Sequence, residues 1–152
     1  MITVLFGQPH SGKTTLSHEL ESWTLDGDKL RAVFQDKDFS REGRIKNLNR
    51  ASDIAVFMHS IYKNVSIAMV YPYKEARDYL NNLCTKLGIE IIWVHLHYSE
   101  ERGREAFHVK DFELDLLEEN VLSLNTSFYS IEECITQIKN YTNATNISRG
   151  ES

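Results

Sequence analysis

The chain has 152 residues, which fits a single domain with one hydrophobic core. Hydrophobic residues make up 41% and charged residues 26%, as is ordinary for a soluble globular protein, and no apolar run is long enough for a membrane helix. The formal net charge of −5 argues against a nucleic-acid-binding module, whose affinity would depend on neutralising phosphates. Met1 to Phe6 reads as a core strand without a basic flank rather than as a targeting segment, so we expect a cytoplasmic protein.

The first predicted strand, Ile2–Phe6, runs directly into the sequence G-Q-P-H-S-G-K-T at Gly7–Thr14. This sequence matches the phosphate-loop pattern G-x-x-x-x-G-K-[ST], and a helix-like run, Thr14–Leu20, follows it. In such a loop, backbone N–H groups surround polyphosphate oxygens, Lys13 reaches the β- and γ-phosphates, and the Thr14 hydroxyl binds Mg²⁺. The helix N-terminus adds partial positive charge at the same place. The sequence therefore predicts a nucleoside triphosphate site.

A short second strand, Trp23–Leu25, leads into Asp26-Gly27-Asp28. Ligands of open α/β sheets bind outside the carboxyl ends of the strands, so we expect these two acids near the phosphates. One carboxylate can hold waters of the Mg²⁺ shell, while the other can orient or deprotonate an acceptor hydroxyl. The alternative interpretation is an ordinary turn.

The helix that begins near Ser40 has an inward stripe that changes from polar to apolar along its length. Arg44 on this stripe needs a partner or a wet cavity, because burying an unpaired charge is very costly. We therefore expect the first turn to line a ligand cleft and the rest to pack on the sheet. The alternative is a salt bridge from Arg44 to a structural carboxylate such as Asp28. At about 100° per residue, the stripe comprises Arg44, Asn47, Leu48, Ala51, Ala55, Met58 and Tyr62.

Three further strands and two helices complete an alternation of strand and helix, which predicts an α/β fold with a five-stranded parallel sheet covered on both faces. The strand ending at Val70 lacks the terminal acid of a Walker B motif, which favours a small kinase over a mechanical ATPase. We expect one domain over residues 1–141 and a frayed tail over residues 142–152. The predicted elements are the strands Val65–Val70, Ile89–Leu96 and Val121–Leu124 and the helices Lys74–Leu87 and Ile131–Tyr141.

The cysteines and two histidines carry weaker signals. Cys84 and Cys134 lie in helical patterns without partners at metal spacing, which favours buried reduced thiols. His95 and His97 alternate along a strand and share a face. With no third ligand in the pattern, packing or a cleft-lining role is favoured over a metal pair.

The motifs in the first third of the chain resemble the adenylylsulfate kinase (APS kinase) family of P-loop kinases. The phosphate loop is similar to the family's G-x-S-G-S-G-K-[ST], and the segment from Leu25 to Arg31 to its L-D-G-D-x-x-R. The segment from Phe39 to Arg50 is similar to F-S-x-x-x-R-x-x-N-x-x-R. Weaker similarities follow at Tyr71–Arg77, Lys110–Glu113 and Ser130–Cys134.

The resemblance implies the P-loop NTPase fold and phosphoryl transfer from ATP to the 3′-hydroxyl of adenosine 5′-phosphosulfate (APS), with Mg²⁺, as in sulfate assimilation. Lys13, Asp26 and Asp28 would be catalytic, and Thr14 and Asp26 would serve the metal. The implied ATP-binding residues are Gly7, Gln8, Pro9, His10, Ser11, Gly12, Lys13, Thr14, Thr15, Arg102 and Arg104. The implied acceptor-binding residues are Arg31, Phe39, Arg44, Asn47, Pro72, Tyr73 and Phe107, with Phe39 and Phe107 stacking on the adenine.

Two departures from the family pattern stand out. Tyr71 replaces the serine of the family's S-P-Y segment, and the lid between His95 and Asp111 is short. The family's basic R-D-x-K-G-L-Y has no counterpart there. Arg102 or Arg104 could stack on adenine or clamp the γ-phosphate, or both could be solvated surface charges.

Three hypotheses follow from these patterns. The first is an APS kinase with a reduced lid. The second is a related kinase whose hydroxyl acceptor is another nucleotide, a sugar or a modified nucleobase. The third is a non-catalytic nucleotide-binding regulatory domain, against which the intact Lys13, Thr14, Asp26 and Asp28 argue. The expected partner is a small molecule rather than a nucleic acid or a membrane, and a homodimer is left open.

Overall fold

A computed structural model describes residues 1–103, 105–114 and 120–148, with side chains up to residue 145. In that part of the chain, strands and helices alternate as the sequence predicts. The strands are β1 (Ile2–Phe6), β2 (Trp23–Asp26), β3 (Val65–Ala68), β4 (Ile91–His97) and β5 (Val121–Asn125). The helices are α1 (Lys13–Glu19), α2 (Gly27–Phe34), α3 (Arg41–His59), α4 (Lys74–Leu87) and α5 (Ile131–Ser148), with a short 3₁₀ turn at Glu105–Phe107.

The sheet has the strand order β2-β3-β1-β4-β5, and every neighbouring pair is parallel. At the centre, Ile2 of β1 aligns with Val65 of β3 on one side and with Ile91 of β4 on the other. All five residues of β1 are buried, as expected for a strand covered on both faces. The predicted five-stranded parallel sheet is confirmed.

Two hydrophobic clusters lie on opposite faces of this sheet, because successive side chains of a strand point to opposite sides. Phe6 belongs to the cluster formed with α2, α3 and α4, whereas Leu5 belongs to the cluster formed with α1 and α5. Cys84 and Cys134, one in each cluster, are buried free thiols, as predicted. Among the described residues, no helix combines the length and the apolar character needed to cross a bilayer.

Several element boundaries differ from the sequence prediction. The Asp-Gly-Asp segment is the start of α2 rather than a turn, because the Asp26 carboxylate accepts a hydrogen bond from Lys29 N (3.1 Å) and caps the helix. Strand β3 ends at Ala68, two residues before the predicted end at Val70. Helix α5 continues to Ser148 rather than Tyr141, so it includes the first part of the predicted tail. Residues 149–152 of that tail lie outside the described residues.

Tyr71, which replaces the family's serine, is a core residue. It is fully buried with a left-handed φ of 44°, and its hydroxyl lies 2.9 Å from Ser52 Oγ. Its ring packs edge-on against Trp93, and its carbonyl accepts a hydrogen bond from Arg77 Nη1 (2.9 Å). Burial raises the pKa of the phenol well above its usual value. The Tyr71 hydroxyl is therefore committed to packing, and Pro72 is the residue that reaches the cleft described below.

The close approach of β1 and β4 makes a sharp stability prediction at Gly7. Its φ is 146°, and an added Cβ would lie 2.1 Å from Leu96 O, so Gly7→Ala should destabilise the protein by about 3 kcal/mol or more. Gly88→Ala is the matched control, since Gly88 also has a positive φ (67°) but no atom within 4 Å of the added Cβ. That substitution should cost about 1 kcal/mol. Urea unfolding measures both, and equal losses would contradict the assigned contact.

Candidate active site

The phosphate loop connects β1 to α1 in a conformation that needs glycine at both ends. Gly7 and Gly12 have φ values of 146° and 102°. The Lys13 ammonium lies over the loop and donates to Gly7 O (3.0 Å) and Gln8 O (2.8 Å). The ammonium therefore lies beside the backbone amides at the start of α1, where polyphosphate oxygens bind in such loops.

A hydrogen bond joins this loop to the end of β2. Thr14 Oγ1 donates to Asp26 Oδ2 (2.9 Å), while Asp26 Oδ1 accepts from Lys29 N. Hydroxyl and carboxylate oxygens are the hard donors that suit Mg²⁺, which usually keeps several waters and takes one or two carboxylates together with substrate phosphates. Asp28, in the first turn of α2, is exposed toward the same cleft. The two predicted acids and the phosphate loop are thus brought together.

These residues line a cleft of about 1290 Å³. Single-ligand pockets usually have volumes of about 300–1,000 Å³, so this cleft is larger than a typical single-ligand pocket. Gly7, Gln8 and Ser11 form the rest of the loop without lining the cleft, and Arg104 lies outside the described residues. The predicted site residues that line the cleft are Pro9, His10, Gly12, Lys13, Thr14, Thr15, Asp26, Asp28, Arg31, Phe39, Arg44, Asn47, Pro72, Arg102 and Phe107.

An aromatic and cationic cluster also lines this cleft. The Arg31 guanidinium lies 4.4 Å from the centre of the Phe39 ring, and the Arg44 guanidinium lies 6.0 Å from it. Phe39 is 59% exposed, so most of its ring is open to a ligand. Arg44 forms no ion pair within the described residues, and the alternative salt bridge to Asp28 is absent there. This end of the cleft suits an anionic aromatic ligand.

Asp36 is a site residue that the sequence interpretation missed. Its carboxylate accepts from Arg50 Nη2 (2.8 Å) and lies 3.4 Å from Arg31 Nη1. Arg50 also stacks on Phe34 (4.1 Å) and donates to Asn47 Oδ1 (3.3 Å). Asp36 therefore holds two arginines, Arg31 and Arg50, next to Phe39 and Phe34. It lies in the loop between α2 and α3, where no periodicity marks it.

The short lid contacts the phosphate loop directly. Arg102 Nη1 donates to His10 O (2.8 Å), while its Nε donates to Glu100 (2.7 Å) and its guanidinium stacks on Tyr98 (4.3 Å). In this structure Arg102 is therefore held against the phosphate loop and Glu100, and a contact with a bound nucleotide stays a prediction. Phe107, in the 3₁₀ turn, is 66% exposed and lines the cleft.

Tyr73 lies outside the cleft lining. Its ring is buried, its hydroxyl donates to Asp111 Oδ1 (2.9 Å), and Arg41 stacks on it at 4.3 Å. Arg41 also pairs with Glu113 (3.2 Å). Tyr73 thus anchors the segment after the lid to α3 and α4, and an acceptor contact from its side chain would require movement.

His95 and His97 stack on each other with ring centres 5.3 Å apart, and His95 also packs against Phe6 and Phe112. Burial lowers the pKa of His95 to about 4, and the nearby charges of His97, Arg77 and Lys13 act in the same direction. Across the described ranges, no group of three or more His, Cys, Asp or Glu side chains could hold a metal ion. The packing interpretation fits this geometry.

Comparison with known proteins gives a consistent family. The adenylylsulphate kinase family model matches residues 1–111. A probable adenylyl-sulfate kinase of Aeropyrum pernix is 31% identical over 66% of this chain and 61% of the relative. The first three curated relatives are matched over only 42%, 61% and 58% of their own lengths.

Two solved structures share the fold. The crystal structure of APE1195 superposes with a TM-score of 0.78 at 25% identity and covers 95% of both chains. The structure of the Mycobacterium tuberculosis APS kinase CysC in complex with AMPPNP and APS gives a TM-score of 0.77 at 20% identity. That match covers 93% of this chain and 96% of the other. Like the parallel sheet, these matches support the predicted P-loop kinase fold.

The low pKa of His95 predicts how stability depends on pH. Between pH 6.5 and about 4 the unfolded chain binds a proton at this imidazole that the folded protein does not, so the free energy of unfolding falls as pH falls. The loss should be on the order of 2 kcal/mol. His95→Gln should remove this part of the pH dependence, whereas His18→Gln, at an exposed histidine of α1, should retain it. If the free energy of unfolding of the His95 variant depended on pH as strongly as that of the wild type, the assignment would be contradicted.

Proposed function

Since the chain belongs to the adenylylsulphate kinase family, we propose that it transfers the γ-phosphoryl group of ATP to the 3′-hydroxyl of adenosine 5′-phosphosulfate. The products are ADP and 3′-phosphoadenosine 5′-phosphosulfate. The main support is one cleft that joins a phosphate loop to an open aromatic ring flanked by two arginines, Arg31 and Arg44. In this proposal the donor nucleotide binds at the phosphate loop and the anionic acceptor nucleotide at the Phe39 ring.

In the donor half, positioning and charge neutralisation lower the barrier, since phosphoryl transfer needs little covalent help from the protein. The loop amides and Lys13 would hold the β- and γ-phosphates and offset the charge that builds up on them. Thr14 and Asp26 would hold Mg²⁺, which would neutralise charge on the transferring phosphates. Both side chains already face each other at hydrogen-bond distance.

In the acceptor half, Phe39 offers its ring to the adenine, and Phe107 at the mouth of the cleft offers a second face. Arg44 and Asn47, on adjacent turns of α3, would bind the phosphosulfate or the ribose. Arg44 suits the anion because it has no ion pair within the described part of the chain.

We assign different roles to the two carboxylates, Asp26 and Asp28. Asp26 is committed to Thr14 and to the cap of α2, so we assign it to the metal side. Asp28 is exposed in the cleft, and we assign it to the acceptor 3′-hydroxyl. Its carboxylate would orient that oxygen toward the γ-phosphorus and take up the proton as the new P–O bond forms and the bond to ADP breaks.

A second candidate is a kinase of the same group with a different hydroxyl acceptor, such as another nucleotide, a sugar or a modified nucleobase. The observation that favours it is the short lid, whose Arg102 is bound to the phosphate loop and to Glu100. The rest of the proposal is common to both candidates. Under both, we propose a cytoplasmic enzyme with small-molecule substrates. Homodimer formation stays a prediction that light scattering can test.

An ADP-release assay with APS and a panel of hydroxyl acceptors tests the proposed function. Turnover should be fastest with APS and should require Mg²⁺. Lys13→Ala should lower kcat by about a thousandfold or more with any acceptor, because it removes charge from the transferring phosphates. Turnover with another acceptor but not with APS would replace the first candidate by the second. No turnover with any acceptor would leave a nucleotide-binding domain.

The cation assigned to the acceptor can be tested on α3. Arg44→Ala should raise the KM for APS by about ten- to a hundredfold, the usual effect of losing a charged hydrogen bond, and should raise the KM for ATP less. Lys46→Ala is the matched control, since Lys46 is an exposed cation of the same helix. Loss of folding in the Arg44 variant, seen as a lower melting temperature, would instead assign Arg44 a structural role.

A further inference from the structure

The side chain of Gln8 in the phosphate loop is paired with the lid rather than with the cleft. Its Nε2 donates to Val109 O (2.9 Å), and its Oε1 accepts from Val109 N (2.9 Å). One side-chain amide therefore satisfies both backbone groups of a single lid residue, as a neighbouring strand would. Val109 is 7% exposed, so neither of these backbone groups is well placed to exchange this bond for water.

The next two loop residues also bind the lid. The Tyr98 hydroxyl donates to Pro9 O (2.8 Å) and lies 2.8 Å from His108 Nε2. Arg102 Nη1 donates to His10 O, and His10 Nδ1 lies 3.1 Å from Arg102 O. Three consecutive loop residues thus contact the lid on both sides of the 3₁₀ turn Glu105–Phe107.

Pro9 and His10 stand where the family pattern has serine and glycine, so part of this contact set is specific to the present chain. His10 has a φ of 62°, a left-handed conformation that glycine adopts more easily than histidine. The paired contacts with Arg102 offset the strain of that conformation. The same chain lacks the family's longer basic lid segment, and the hydrogen bonds to the loop provide another way to hold the lid in place.

We propose that Gln8 and His10 are positioning residues that latch the short lid to the phosphate loop and thereby hold Phe107 over the acceptor end of the cleft. Phe107 lies in the sequence between the two latch points, Arg102 and Val109, and is 66% exposed. The latch is a property of the fold, whereas its effect on the acceptor rests on the proposed function. It couples the placement of the acceptor to the loop that binds the donor.

Amide hydrogen exchange tests the latch without any substrate. In Gln8→Leu, which keeps the size of the side chain but removes both hydrogen bonds, exchange at the Val109 amide should speed up by about tenfold or more. The matched control is Gln137→Leu, at an exposed position of α5. In this variant the Val109 amide should exchange at the wild-type rate. Tyr98→Phe approaches the same latch from the lid side and should accelerate exchange in residues 105–109. Unchanged exchange at Val109 in the Gln8 variant would overturn the proposal.

Steady-state kinetics with ATP and APS then separate positioning from general destabilisation. Gln8→Leu should raise the KM for APS by about tenfold, more than it raises the KM for ATP, because the lid ring is released at the acceptor end. Equal changes in both KM values with a lower melting temperature would overturn the positioning role. If wild-type enzyme has no APS-dependent turnover, the proposed function fails while the exchange result still decides the latch.

Discussion

The hydrogen bond from the Thr14 hydroxyl to the Asp26 carboxylate is the interaction on which the site depends. It joins the phosphate loop to the end of β2. The two segments lie close together because parallel strands end at one edge of the sheet. The same carboxylate caps α2, and α2 carries both Asp28 and Arg31. One acid therefore positions Asp28 and Arg31 relative to the phosphate loop. A helix beginning one residue later would turn Asp28 away from the cleft, since successive helical residues differ by about 100°.

The strands, the phosphate loop and the cleft-lining start of α3 were predictable because each has a short-range signature. The features that were not predicted have no such short-range signature. Helix α2 begins with glycine, a weak helix former, and the acids that favour turns also favour helix caps, so local chemistry could not separate the two. Asp36 belongs to a loop and depends on where α2 and α3 place Arg31 and Arg50. The contacts of Tyr73 were equally out of reach, because its partners Arg41 and Asp111 come from distant segments.

The acidic chain builds a cationic end in its cleft by arranging a few charges. The net charge of −5 would repel a polyanion at long range, and salt screens that repulsion beyond about 8–10 Å. Inside the cleft, Asp36 offsets part of the charge of Arg31 and Arg50, while Arg44 has no such partner within the described residues. Bulk charge and local charge thus give different information: the first argues against a nucleic-acid partner, and the second favours a small anion.

The strand order also constrains how the chain reaches its native state. Strand β1 leads the sequence but lies at the centre of the sheet, so it cannot be completed until β3 and β4, which begin at Val65 and Ile91, are available. Contacts between such distant segments form slowly, because the intervening chain must first be ordered. During synthesis, the apolar segment Ile2–Phe6 therefore stays unpaired with β4 until Ile91–His97 has emerged. The strand that positions the phosphate loop in the folded protein is, in the nascent one, a segment that can aggregate and that a chaperone can bind.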